Sequence, residues 1–317
     1  MTGRVARILP LRILFAWFPI ACLCGASLSF LGTFTAQAAF ADIELPQANG
    51  GSLILPAQAT RIVTLAPNLA ELVFAAGAGD SLRAVVEYSN FPPKVIELPR
   101  VGDAFRIDLE RIIELEPDLV IGWKSGNPQT ALLKLEQLGF KVWQIEITRP
   151  EAIADVVENI ALAAGTLDHG TQTSAKLRGR LRNLQRQYAH RARVEFFYQI
   201  APRPLYTING QHIISRSLEV CGGHNIFADL GSLAPQISRE SVILANPHAM
   251  IAPEIAGDPP ALADWKRWPQ LQAVQNDALL YLPADDISRA APRLLDGIEL
   301  ACKLLDEVRS RQEIIEH

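Results

Sequence analysis

Cysteine is scarce in this 317-residue chain: there are four, and two of them, Cys22 and Cys24, fall inside an apolar run near the start. No paired cysteines are left to build a metal site. The six histidines, His169, His190, His212, His224, His248 and His317, stand singly without ligand-like spacing. A dedicated zinc or manganese centre is therefore not expected. A G-x-x-x-x-G-K-[ST] phosphate loop is also lacking, so the chain is not an ATPase subunit. The nearest approach to a dinucleotide fingerprint is Gly77-Ala78-Gly79, which follows a helical run and has Leu82 where a third glycine is needed. No G-x-S-x-G nucleophile elbow occurs. Basic charge is not in excess, the formal net charge being -4, so nothing attracts nucleic acid generally. Beyond the N-terminal run, no stretch approaches the ~18 to 20 apolar residues of a membrane span.

What is present begins with Arg4, Arg7 and Arg12 ahead of the apolar run Ile13 to Phe34, followed by Ala36-Gln37-Ala38. A basic start, an apolar stretch and a small-x-small site make residues 1–38 a secretory signal peptide, cut after Ala38. A retained membrane anchor is the alternative. A lipoprotein reading through Cys22 is disfavoured by Pro19, which stands where an aliphatic residue is expected. Cleavage removes three arginines and no acid, taking the formal charge from -4 to -7. Cys221 and Cys302 then remain, in an oxidising compartment, either as a disulfide or as two buried thiols.

The mature chain alternates. Asp42 to Pro56 reads as a hairpin around Asn49-Gly50-Gly51. Strands are expected at Ile62–Leu65, Leu82–Val86, Leu119–Trp123 and Val142–Ile145, with helices at Leu69–Ala76, Leu109–Leu115 and Gln129–Leu138. Such alternation makes a mostly parallel sheet with helices on both faces. From Glu151 to Arg193 the pattern is helical only, with a polar break near Asp168-His169-Gly170 and then a highly charged stretch, KLRGRLRNLQRQYAHRAR. A long, largely polar helix between two α/β halves reads as a strut. Strand and helix signals resume at Val194. The division is a lobe at 39–150, a strut at 151–193 and a lobe at 194–317. The halves also match each other: LERIIELEPDLVI (109–121) and RESVILANPHAMI (239–251) align without a gap, pairing Glu110 with Glu240 and Pro117 with Pro247. An exported, two-lobed α/β protein without a catalytic constellation points to ligand capture in the cleft between lobes.

The runs RIVTLAPNLAELVFAAG, YSNFPP, DLERIIELEPDLVIGW, LEVCGGHNIF and ISRESV resemble the substrate-binding proteins of ABC importers for iron complexes and corrinoids. YSNFPP, LVIGWKSGN and LEVCGGHNIF are similar to the cobalamin (vitamin B12) branch in particular. The resemblance implies two Rossmann-like lobes joined by one long α-helix, a periplasmic location, a monomer, and a Cys221–Cys302 disulfide. It implies a cobalamin or related corrinoid as cargo, no resident cofactor, no catalysis, and delivery to an inner-membrane permease and ATPase complex.

Carried over by position, Tyr88 and Trp123 would be aromatic walls of the corrinoid site. Tyr206 stands where the branch has a phenylalanine, and Asp285 and Arg289 are the preserved ends of a stretch near the nucleotide loop. Glu110 and Glu240 would dock on permease arginines. Ala104, Ala234 and Asp286 replace aromatics of the branch, which bears on the identity of the ligand more than on its class. Each residue also has a plainer reading. Trp123 could close the end of a sheet, Tyr206 could cap a hairpin, and Asp285 and Arg289 could pair with each other. Glu110 and Glu240 could merely complement their helix N-termini. The alternatives on function are a ferric siderophore carrier, using Lys124 and Arg289 as cations, or a haem carrier, with Tyr88, Tyr206 or His212 as axial ligand. A secreted two-domain metal-dependent hydrolase comes last, for want of clustered ligands.

Overall fold

The computed structural model describes residues 42–315, so the signal peptide expected at 1–38 lies outside the described residues. The first lobe opens with an antiparallel hairpin, β1 (Ile43–Pro46) and β2 (Ser52–Leu55), on either side of the expected Asn-Gly-Gly turn. Then follow β3 (Ile62–Thr64), α1 (Pro67–Ala75), β4 (Leu82–Ala84), α2 (Leu109–Leu115), β5 (Leu119–Trp123), α3 (Gln129–Gln137), β6 (Val142–Ile145) and α4 (Ala152–Ala164). The apolar strand runs Ile62–Thr64 and Leu119–Ile121 pair in parallel and are buried, as strands covered on both faces must be. Pro67 opens α1 at a position where its fixed φ and missing N–H do no harm.

After α5 (Leu167–Tyr188) the second lobe repeats the plan: β7 (Val194–Tyr198), a short hairpin β8 (Ala201–Pro202) and β9 (Leu205–Tyr206), α6 (Ile213–Glu219), β10 (Gly223–Asn225), α7 (Arg239–Ala245), β11 (Ala249–Glu254), α8 (Gln272–Gln275), β12 (Leu279–Pro283), α9 (Ala284–Ser288) and α10 (Leu294–Ile315). The four-stranded sheets are ordered β4-β3-β5-β6 and β10-β7-β11-β12. Counted within each lobe, both read second, first, third, fourth, and every pair is parallel. The gapless match seen in the sequence is the phrase α2–β5 repeated as α7–β11. Asp108 and Ser238 cap the two helices by accepting from Arg111 N–H and Ser241 N–H, and both helices end on a left-handed residue, Glu116 (φ 44°) and Asn246 (φ 45°), ahead of the proline.

The polar break expected near Asp168-His169-Gly170 falls earlier. Gly165, at φ 73°, ends α4, and residues 168–170 already belong to α5. Gly170 serves close approach rather than interruption: a Cβ there would lie 2.2 Å from that of Ala161, so its absence lets α5 sit directly on α4. Ser174 Oγ then reaches the Ala154 carbonyl at 2.8 Å. One stripe of α5, Ser174, Leu177, Leu181, Leu184 and Tyr188, is buried, while Arg178 pairs with Glu158 of α4 and Arg180 with Asp296 and Glu299 of α10. The long helix is thus tied to both lobes, and one apolar core cluster runs without interruption from Leu45 to Val308. Cys221 and Cys302, both fully buried, form a disulfide that joins the end of α6 to α10.

Candidate functional site

In each lobe the strand order turns about the boundary between the first and third strands, β3 with β5 and β7 with β11. Parallel sheets bind ligands outside the carboxyl ends of strands at such a switch point. Here the carboxyl ends of the two lobes face a shared cavity of about 340 Å³. Pro67, Trp123 and Glu146 line it from the first lobe, and His212, Leu233 and Arg289 from the second.

Trp123 ends β5, half-buried, with its position fixed on three sides. Its backbone N–H donates to Asn127 Oδ1 (2.7 Å) and its indole Nε1–H to Glu146 Oε1 (3.1 Å). One ring face lies on Gly126, where a Cβ would come within 1.9 Å of the ring. Glu146 also accepts from the Ser125 N–H (2.9 Å) and hydroxyl (3.1 Å), so this carboxylate is held by neutral donors alone among the described residues. His212 caps α6 by accepting the Ile214 N–H on Nδ1 at 3.2 Å, which places its proton on Nε2. Burial lowers its pKa, favouring the neutral form of the ring.

Arg289 lines the cavity, but its guanidinium is fully engaged. It donates to Glu71 Oε1 (3.1 Å), Asn90 Oδ1 (2.7 Å) and the Tyr88 carbonyl (3.2 Å), and pairs with Asp285 at 2.8 Å. Asp285 accepts in turn from Asn90 Nδ2 at 3.0 Å. Asp285 and Arg289 therefore do pair, as the plainer reading held, and the pair also bridges the lobes. Tyr88 is 79% exposed on a left-handed backbone (φ 65°), outside the lining of the cavity. Phe91, beside it, is partly exposed under the guanidinium of Arg293, 4.4 Å from the ring centre. Tyr206 sits in the β8–β9 hairpin opposite Ala201, half-buried and also outside that lining. Lys124 is tied to the Ala48 carbonyl at 2.8 Å. Trp265 and Trp268 pack against each other at 50° in a core cluster of the second lobe, outside the lining of the cavity.

Glu110 and Glu240 are exposed in the first turns of their matched helices. Hydrogen bonds from the Glu240 backbone N–H and the Ser238 hydroxyl hold the Glu240 carboxyl below its ordinary range. Among the described residues no group of three or more His, Cys, Asp or Glu could hold a metal ion. Sequence reasoning missed Glu71, Asn90, Glu146 and Arg293. The one available signal was Glu71 itself, a lone charge in the apolar helix LAELVFAA.

Comparison with known proteins agrees with this architecture. The family model described as periplasmic binding protein matches residues 62–285. A vitamin B12-binding protein of Vibrio cholerae is 39% identical over 257 residues, covering 80% of this chain and 91% of the relative. One of Photorhabdus laumondii is 36% identical over 248 residues, covering 78% and 88%. The crystal structure of the periplasmic vitamin B12 binding protein BtuF of V. cholerae superposes with a TM-score of 0.74 at 38% identity, over 79% of this chain and 98% of that one. The haem-binding protein HutB of the same organism shares the fold, with a TM-score of 0.68 at 22% identity, over 78% and 98%. With its matched lobes, bridging helix and switch-point cleft, the chain belongs to the periplasmic binding protein family.

Proposed function

We propose that this protein captures cobalamin or a related corrinoid between its lobes and delivers it to an ABC permease, with ATP hydrolysis occurring in other subunits and no bond made or broken here. Export through the signal peptide at 1–38, cut after Ala38, is part of the proposal. The observation that carries it is the charge of the cleft. Among the described lining residues Arg289 alone bears a fixed positive charge, and it is committed to Glu71 and Asp285, while Glu146 faces no cation at all. A haem, with its propionates, or an anionic ferric chelate would meet an uncompensated carboxylate. A corrinoid presents a broad apolar ring fringed with neutral amides, which suits an aromatic wall, fixed carbonyls and N–H donors. A corrinoid is also larger than this cavity of about 340 Å³. It would extend past Trp123 and Arg289 to the rim, where Tyr88 and, on the other lobe, Tyr206 and Asp285 would meet it.

The haem reading loses its axial ligand in the cavity, because the capping role of His212 puts the proton on the nitrogen that iron would need. For the partner, Glu110 and Glu240 supply carboxylates at equivalent points of two like lobes, which suits a pseudo-symmetric basic surface of a permease. Calorimetric titration with cyanocobalamin, cobinamide, haem and a ferric hydroxamate tests the ligand. The two corrinoids should bind at micromolar concentration or tighter, and tight haem binding without corrinoid binding would overturn the proposal.

A further inference from the structure

Glu71 is a buried carboxylate, 3% exposed, on a helix of the first lobe, yet its partners come from the second. Arg289 Nη1 reaches it at 3.1 Å, Arg293 Nε at 3.0 Å and Arg293 Nη2 at 2.6 Å. A carboxylate so desolvated is tolerated only with such partners, and the two arginine side chains, 14% and 17% exposed, depend on it in turn. The bond to Glu71 holds Arg293 further in its charged form.

From Glu71 the network continues to the segment that carries Tyr88. Arg289 holds the Tyr88 carbonyl and Asn90 Oδ1, Asp285 takes the other end of the Asn90 amide, and Arg293 covers Phe91. Arg100, within the first lobe, fastens the same segment through the carbonyls of Val86 (3.3 Å) and Ser89 (3.1 Å). Tyr88 meanwhile holds a left-handed backbone that a non-glycine residue keeps only where its surroundings impose it. Three of the groups imposing it, Arg289, Arg293 and Asp285, belong to the other lobe.

We propose that Glu71 is a positioning residue for ligand binding: by anchoring Arg289 and Arg293 across the lobes it sets the Tyr88–Phe91 rim of the cleft. The Tyr88 wall thus takes its shape from the apposition of the lobes, and a rim so fixed needs no ordering when ligand arrives. The consequence for ligand rests on the corrinoid reading above, whereas the consequence for the rim does not.

Hydrogen exchange on the ligand-free full chain separates the two. In wild type, the amides of Glu87 and Ser89 donate to Gly102 O and Val86 O and should exchange slowly. Glu71→Gln, which keeps the shape and removes the charge, should speed exchange in segment 87–91 by about tenfold while β10 and β7 are unchanged. Asn90→Ala, an exposed change that cuts only the distal link, should do the same to a lesser degree and keeps the test open if Glu71→Gln folds poorly. Both variants should release cyanocobalamin faster, by about fivefold or more for Glu71→Gln. Unchanged exchange in 87–91 for both, or an equal rise throughout the chain, would overturn the proposal, the latter by making Glu71 a stabiliser of the fold only. If wild type binds no corrinoid, the ligand reading fails alone, and the exchange result still decides the role of Glu71.

Discussion

Trp123→Ala is the sharpest test of the cleft, because the geometry predicts a magnitude. Gly126 covers one ring face, the indole N–H is bound to Glu146, and the residue lines the cavity. A tryptophan offers 150–250 Å² in all, so a ligand stacking on one face covers on the order of 100 Å² of it. At ~25 cal/mol per Å² that contact is worth about 2.5 kcal/mol, a roughly 60-fold rise in Kd. A partner variant separates wall from bulk. Gly126→Ala retains the indole, but the new Cβ would stand 1.9 Å from it and push the ring off its seat. Calorimetry with cyanocobalamin should therefore show large losses in both variants, with thermal midpoints reported alongside, since the ring also touches the core. A Kd within about threefold of wild type for Trp123→Ala would refute the reasoning and leave Trp123 as a sheet-end core residue.

Other consequences follow from the same structure. The Cys221–Cys302 bond closes 81 residues of sequence, which on the chain-entropy account is worth about 4.5 kcal/mol. Cys221→Ala with Cys302→Ala should lower the thermal midpoint by about 10 °C or more, and a shift under about 3 °C would show the bond to be incidental. Reversal of both docking candidates, Glu110→Lys with Glu240→Lys, should abolish corrinoid uptake by cells while leaving ligand affinity within about twofold, since neither side chain lines the cavity. Normal uptake by that variant would leave the two carboxylates as complements of their helix N-termini only.

The parts of this molecule that depend on local sequence were legible, and the parts that depend on distant partners were not. Buried parallel strands are short apolar runs, so β3, β5, β6 and β11 announce themselves, and the α2–β5 phrase recurs at α7–β11 because both lobes solve one packing problem in the same order. Gly170 misled for a definable reason. In sequence a glycine beside Asp168 and His169 has the composition of a turn, and only the neighbouring helix reveals that the missing Cβ admits Ala161. Trp123 was readable as a candidate at the end of β5, where it does line the cavity, but the carboxylate that holds its indole, Glu146, sits 23 positions away on another strand end.

The Glu71 network lies furthest from sequence reasoning. Asp285 and Arg289, four apart, look self-sufficient as a surface pair, and nothing local says that Arg289 also meets a carboxylate 218 positions earlier. The physical clue was energetic rather than positional. Leu69, Ala70, Leu72 and Val73 bury their helix on every side, so a glutamate among them must either find cations or lose its charge. Two arginines near the far end of the chain answer that demand. Because they belong to the other lobe, a local burial problem in α1 becomes a constraint on how the lobes meet, and through Asn90 and the Tyr88 carbonyl a constraint on the rim that a ligand would touch. A long bridging helix alone leaves the lobes free to tilt at its two ends. A buried carboxylate shared between them resists that tilt, since opening would lengthen its bonds to Arg289 and Arg293.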